Sequence, residues 1–336
     1  MILMLRNMNN QLSVSTVVSM DTLQSLAREF KQRFEVSSGL IHERLAGKEF
    51  VFNHDGKDNY PFGGWSEACE GELHEIAPER EQATIASTDS SCILLGESFE
   101  GAVYAVRAAV AFSCAGLVRG YFRVGPTIVY LSAKGAYGLP ADLEPFELRV
   151  ALTDHQIAER VIRNGVERRI VSALAASPQV SIAMADGSLR HPFEAYPAEV
   201  AESPSACLVG FSKSSSLVSS SRLTGTVNKS PGPAYCASRD GAISTVVAKF
   251  AGDGLVFRLD VARPTAALPK VLGLILFNDA FSVGYPESLR VAHHLSVFSR
   301  SEDTALKAYL SKRYLLKRLP AFGVRRMTLG GLSNSG

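Results

Sequence analysis

Three carboxylates in this sequence are of the type and spacing that could hold a divalent cation. Asp89 closes the run ATIASTDSS at 83–91, and Asp186 closes VSIAMADGS at 180–188. Glu167 lies in RNGVERRIVSAL, a helical stretch preceding the second run. Acidic residues at strand tips beside an acidic helix residue suit Mg²⁺ or Mn²⁺, which take oxygen ligands and leave positions for water or phosphate. A water held there can become a nucleophile toward phosphorus. The spacing alone leaves alternatives. Glu159 shares the helix with Glu167, Glu97 follows Asp89, and Asp186–Gly187 is also a plain turn signal in which glycine supplies a positive φ.

A second group sits in GYPESLRVAHHLSVF at 284–298. Tyr285 precedes a helix on which His293 could serve as proton donor, phosphate contact or ligand, because imidazole titrates near neutral pH. Read without chemistry, Tyr285 is a half-buried strand-end aromatic, and His293 and His294 are one packed and one exposed histidine.

Several elements must position these residues. Leu23, Leu26, Phe30 and Phe34 recur at helical spacing after Asp21, predicting a helix over 21–47. HDGKDNYPFGGW at 54–65 reads as a loop. AVYAVRAAVAF at 102–112, PTIVYLSA at 126–133 and ACLVGFSK at 206–213 read as strands. Residues 143–176 read as helical, with Gly165 a point of weakness. Residues 212–240 read as a mobile Ser/Gly-rich loop, and Lys213, Arg222, Lys229 and Arg239 meet no acidic residue up to position 239. The segments 253–261 and 271–286 read as a strand pair, and 287–314 as one helix behind Pro286. The fold class expected is α/β, with one mixed extended sheet flanked by helices.

Composition narrows the function classes. The 336 residues, 46% hydrophobic and 20% charged, are those of an ordinary globular chain. No apolar run approaches the roughly 18–20 residues of a membrane span. The start MILMLRNMNN lacks a signal-peptide layout, so a cytoplasmic address without membrane contact is expected. Five cysteines without a CxxC pair argue against a disulfide framework or a structural zinc site. The net charge is only +2, yet no acidic residue follows Asp303 while seven lysines and arginines do. That basic end could meet phosphates or an acidic partner. No GxxxxGK[ST] pattern occurs, so any ATP hydrolysis would belong to a partner.

Taken in order, Asp89–Ser90–Ser91, RNGVERRIVSAL, ADGSL at 185–189, VGFSKSSS at 209–216 and GYPESLRVAHHL resemble the NurA nucleases, over roughly residues 80–300. The resemblance implies an RNase H-like core and a homodimer. It implies Mn²⁺-dependent cleavage of DNA, with Mg²⁺ as an alternative, by 5′–3′ exonuclease and single-strand endonuclease action. It also implies a role in DNA end resection and double-strand break repair beside a HerA-type hexameric ATPase. Asp89, Glu167 and Asp186 match the metal-binding carboxylates, Tyr285 and His293 the C-terminal tyrosine and histidine, and Lys213 a basic position near the site. Residues 81–336 would form the nuclease domain, and 1–80 an N-terminal extension packed on it. One departure is plain: the family's Asp-Gly-Ser is Asp-Ser-Ser here, which raises the alternative of a catalytically inactive adaptor of the ATPase ring. A phosphatase or RNA-cleaving relative would share the same metal chemistry.

Overall fold

A computed structural model describes residues 44–50, 72–98, 100–139, 143, 145–191, 194–195, 206–213, 222–240, 243–262 and 268–318. The predicted loop at 54–65 falls outside these residues, as does the helix predicted at 21–47 apart from residues 44–47, of which Arg44 and Leu45 are helical and Ala46 and Gly47 a turn. The chain is mixed α/β, built on a ten-stranded mixed sheet flanked by helices. Its strands are β1 (His74–Glu75), β2 (Ile85–Ser98), β3 (Gly101–Cys114), β4 (Leu117–Ser132), β5 (Gly135–Tyr137), β6 (Ile182–Asp186), β7 (Cys207–Ser212), β8 (Ala234–Asp240), β9 (Ile243–Lys249) and β10 (Phe257–Ala262). Their order across the sheet is β1-β8-β9-β10-β7-β6-β2-β3-β4-β5. Only β6 runs parallel to its neighbours, β2 and β7; the other pairs are antiparallel.

The helices are α1 (Pro145–Ala151), α2 (His155–Ala175), α3 (Arg222–Asn228), α4 (Leu268–Asn278), α5 (Glu287–Ser296) and α6 (Arg300–Tyr314). Successive side chains of a strand point to opposite faces, so β2 sorts the helices. Ser90 bonds to α2 on one face, whereas Ser87 and Asp89 bond to α5 on the other. The α2 face is closed by Val161, Ile162, Val166, Ile170 and Leu174 against Tyr104, Val106 and Val110. On the opposite face, α4 packs Leu272 and Ile275 over Ile85, Ile182 and Val209.

Several expectations change. Asp89 does not end a strand: β2 continues through it to Ser98, because β3 pairs with it along its whole length, although the pairing with β6 stops at Thr88. Gly165 does not break α2, where it is buried in the middle of a 21-residue helix. The span expected as one loop at 212–240 carries α3 and β8. Residues 268–278 are a helix rather than a strand, since a segment apolar on nearly every side gives no period to read. Only Phe281–Ser282 and Tyr285–Pro286 form the hairpin. The last predicted helix is two, divided at Ser299, whose hydroxyl and backbone complete a capping box with Glu302.

Helix α5 is fixed at both ends. The carboxylate of Asp279, buried, accepts from the Ser288 hydroxyl and from the backbone N–H groups of Ser288 (3.2 Å) and Ala280 (2.9 Å). It thereby caps a helix whose own N-cap, Pro286, offers no side-chain acceptor. At the other end Arg107, buried, donates to Glu302 at 2.6 Å and to the Val297 carbonyl at 3.3 Å, with its guanidinium 4.4 Å from the Phe298 ring centre.

Burial pushes the Asp279 carboxyl from 3.8 to about 6, against the pull of its hydrogen bonds. The folded state thus holds this proton more tightly than the unfolded chain. Its contribution to stability is full below the unfolded value and is lost as pH rises through about 6. Asp279→Asn is expected to flatten that fall, read as urea midpoints between pH 4 and pH 6.5. Asp279→Ala should cost about 1–3 kcal/mol by stranding two buried N–H groups. An unchanged pH slope in the asparagine variant would remove Asp279 as its source.

Candidate active site

The parallel pairing of β6 with β2 ends at Thr88 opposite Ala185, and one further step sets Asp89 beside Asp186 on the same face. Asp89 is 4% exposed. Its Oδ2 accepts from Nδ1 of His293 at 2.7 Å and from the Ser296 hydroxyl at 3.1 Å. A carboxylate has only acceptors, so Nδ1 carries a proton, and in the neutral imidazole the lone pair is on Nε2. His293 is 45% exposed in its side chain, whereas His294 is turned to solvent. Helical phase decides between them: Leu289, Ala292 and Ser296 face the sheet, and His293 lies on the flank toward Asp89.

Asp186, the last residue of β6, is held by a turn whose geometry depends on glycine twice. Gly187 has a φ of +130°, the positive angle expected from the sequence. Beneath it, a Cβ on Gly210 would lie 2.6 Å from the Gly187 carbonyl oxygen, so only glycine lets β7 pass this close. The Ser188 hydroxyl and the Leu189 N–H both donate to Asp260, which is fully buried and paired with Arg258 at 3.1 Å. Asp260 is therefore the brace of the Asp186 turn. The sequence offered only the fragment FRLDV for it, indistinguishable from any other strand acid.

The remaining predicted residues converge on the same place. The ammonium of Lys213 donates to Asp186 at 2.5 Å and stands 5.1 Å from the Tyr285 ring centre. The Tyr285 hydroxyl is buried without a hydrogen-bond partner of normal geometry, next to Asp186. Burial and the nearby carboxylates raise the phenol far above neutrality, so it remains a donor. Glu167, buried on α2, accepts from the Ser90 hydroxyl at 2.5 Å, and the Arg163 Nε lies 3.9 Å away. Burial, opposed by Arg163 but reinforced by Asp89, lifts the Glu167 carboxyl to about 8. Asp186 is raised for the same reasons, burial first and the charge of Asp89 second.

Ligating atoms of Asp89, Asp186 and His293 lie within 4.8 Å of one another, the single such group among the described residues. This set differs from the carboxylate triad predicted from sequence: His293 enters it, and Glu167 stands beside it, held by Ser90. The rival acids are elsewhere. Glu159 accepts from the Leu94 N–H at 2.8 Å, and Glu97 pairs with His155 at 2.6 Å, further along β2. Ser90, in place of the resembled family's glycine, adopts ordinary strand backbone and supplies the hydrogen bond to Glu167.

The donor chemistry fits a divalent cation. Two carboxylates and an imidazole meet beside a third carboxyl that burial first, and the charge of Asp89 after it, push toward its protonated form.

No known family model matches the sequence, and no curated protein does. Among solved structures, the NurA nuclease from Sulfolobus solfataricus is similar at a TM-score of 0.48 with 12% identity, over 72% of this chain and 86% of that one. Endonuclease V from Streptomyces avermitilis gives 0.37 with 14% identity, over 88% and 97%. Endonuclease V from Ciona intestinalis, in complex with a DNA containing an inosine followed by a ribo-adenosine, gives 0.36 with 13% identity, over 68% and 89%. These scores all lie below 0.5, so the chemistry below rests on the side chains of this chain. Among the described residues no helix is long and apolar enough to cross a membrane.

Proposed function

We propose that this protein is a metal-dependent nuclease that hydrolyses phosphodiester bonds of DNA. The observation that carries this reading is the meeting of Asp89, Asp186 and His293 within 4.8 Å. Asp89 and Asp186 would hold the cation, with His293 or Glu167 as a further donor. The mixed oxygen and nitrogen set favours Mn²⁺ over Mg²⁺, which keeps to oxygen. Bound there, the cation would lower the pKa of a water and offset charge on the phosphoryl oxygens.

The protein groups have distinct tasks. Asp89 holds the Nδ1 proton of His293, so Nε2, when it does not ligate the cation, would take the proton released by the attacking water and return it to the leaving 3′-oxygen. Lys213 can turn from Asp186 toward a phosphate, offsetting its charge. Tyr285 keeps its proton through the neutral range and offers it to a phosphoryl oxygen. The finer expectations rest on the ordered motifs. They are an RNase H-like core, a domain division near residue 80, 5′–3′ exonuclease and single-strand endonuclease action, a homodimer, a cytoplasmic HerA-type partner and a role in end resection.

End-labelled single- and double-stranded DNA incubated with Mn²⁺, Mg²⁺ or EDTA tests the reading, with wild type beside Asp186→Ala. Mn²⁺-dependent cutting that disappears in the variant is the expected result. Absence of cutting by wild type with either metal, also beside a ring ATPase, would favour the adaptor instead. Faster turnover of RNA or of a small phosphomonoester would reassign the substrate.

A further inference from the structure

The strand register carries the face bearing Asp89 well beyond the acids. Phe211, Asp186, Asp89, Ala109 and Arg123 fall on one cross-strand row, and Ala111 and Tyr121 on the next. On this face α6 covers the second half of β4, where Ile128 and Tyr130 pack under Leu310 and Tyr314. Among the described residues no element covers the first half. Leu117 is 56% and Tyr121 63% exposed, Arg119 and Arg123 are also exposed, and the residues between them turn inward. Phe122, for example, packs on the core of the opposite face.

We propose that this stripe is a stacking platform for single-stranded nucleic acid, holding an unpaired strand on the far side of helix α5 from the acidic site; it rests on the nuclease reading. An aromatic ring presented to water between two arginines suits a polymer of flat bases and phosphates, because every base offers a π-face and every linkage a charge. Neither β3 nor β4 contains an acidic residue. Among the described residues neither Arg119 nor Arg123 forms an ion pair, and Arg119 donates to the Cys114 carbonyl of its own hairpin at 3.2 Å. A two-fold contact between copies of this face would oppose arginines with no carboxylate to offset them. The row places Arg123 two strand spacings, about 10 Å, from Asp89. Helix α5 stands between, its His293 flank toward the acids and its Val291 and Leu295 flank on the other side.

Fluorescence anisotropy of a labelled single-stranded oligonucleotide in EDTA tests this without turnover. Tyr121→Ala should weaken binding roughly ten-fold or more, and Tyr121→Phe should retain it. Arg119→Ala and Arg123→Ala should each reduce the salt slope of log K by about 0.7. A blunt duplex of the same sequence should be indifferent to Tyr121, since its bases are already stacked. Single-strand binding unchanged in all three alanine variants would overturn the platform, as would a dimer-to-monomer shift of Tyr121→Ala in light scattering. Failure of the nuclease reading would look different: a wild type that binds through this stripe yet cuts nothing with Mn²⁺.

Discussion

Replacing Asp89 with asparagine should slow Mn²⁺-dependent DNA cleavage by about 10³-fold, the scale on which one preorganised group in an active site acts. Two effects add. The site loses a charge that a cation needs, and the His293 imidazole loses the carboxylate that fixes its proton on Nδ1. Folding should not suffer, because asparagine matches the volume and relieves repulsion between Asp89 and the carboxyls of Asp186 and Glu167. The thermal midpoint is therefore expected to stay level or rise while activity falls. Ser296→Ala serves as the milder companion, since the Ser296 hydroxyl touches the proposed ligands through the Asp89 carboxylate and otherwise bonds the His293 backbone carbonyl. Cleavage by Asp89→Asn within ten-fold of wild type would remove Asp89 from the metal site.

The second large effect concerns stability. Asn278, at the end of α4, is fully buried, and its side-chain amide is used in full. Its oxygen accepts from the N–H groups of Ala83 and Ala115, each at 3.1 Å. Its nitrogen donates to the carbonyls of Glu81 at 2.9 Å and Leu274 at 3.0 Å. One side chain thus ties α4 to the approach of β2 and to the β3–β4 turn, where Ala115 holds a φ of +51°. Asn278→Ala is expected to cost roughly 3–5 kcal/mol, because several buried backbone groups lose partners at once. A urea unfolding series should show the midpoint falling with the slope preserved. A midpoint within about 0.5 kcal/mol of wild type would show that water replaces the amide.

These two residues differ in how legible they were. Asp89 stood in a run of small and polar residues that invited attention. Asn278 sat unremarked in VLGLILFNDAF, a segment first read as a strand, because an apolar stretch that is buried all round carries no period. Asp279 and Asp260 were equally invisible: their roles depend on backbone groups brought in from Ser288 and Leu189. The turn at Asp186, by contrast, was written locally, since a positive φ requires glycine and Gly187 supplies it.

The sequence by itself determined the polar residues available for chemistry and most of the long strands, through β-branched and apolar runs whose local preference agrees with their final state. The helical period over 143–176 was legible as well, but as one helix; in the structure it is two, α1 and α2, divided where Asp154 caps α2 by accepting from the Gln156 and Ile157 N–H groups. Only the tertiary structure decided which acids meet. Glu167 rather than Glu159 bonds to Ser90 next to Asp89, and His293 rather than His294 bonds to Asp89 itself, because the rotational phase of a helix against a sheet is set by which side chains bury. Asp89 became an interior strand residue for the same kind of reason. Its neighbours Ser90 and Ser91 weaken the strand signal locally, but pairing with β3 and the helices on both faces supply what the local sequence lacks.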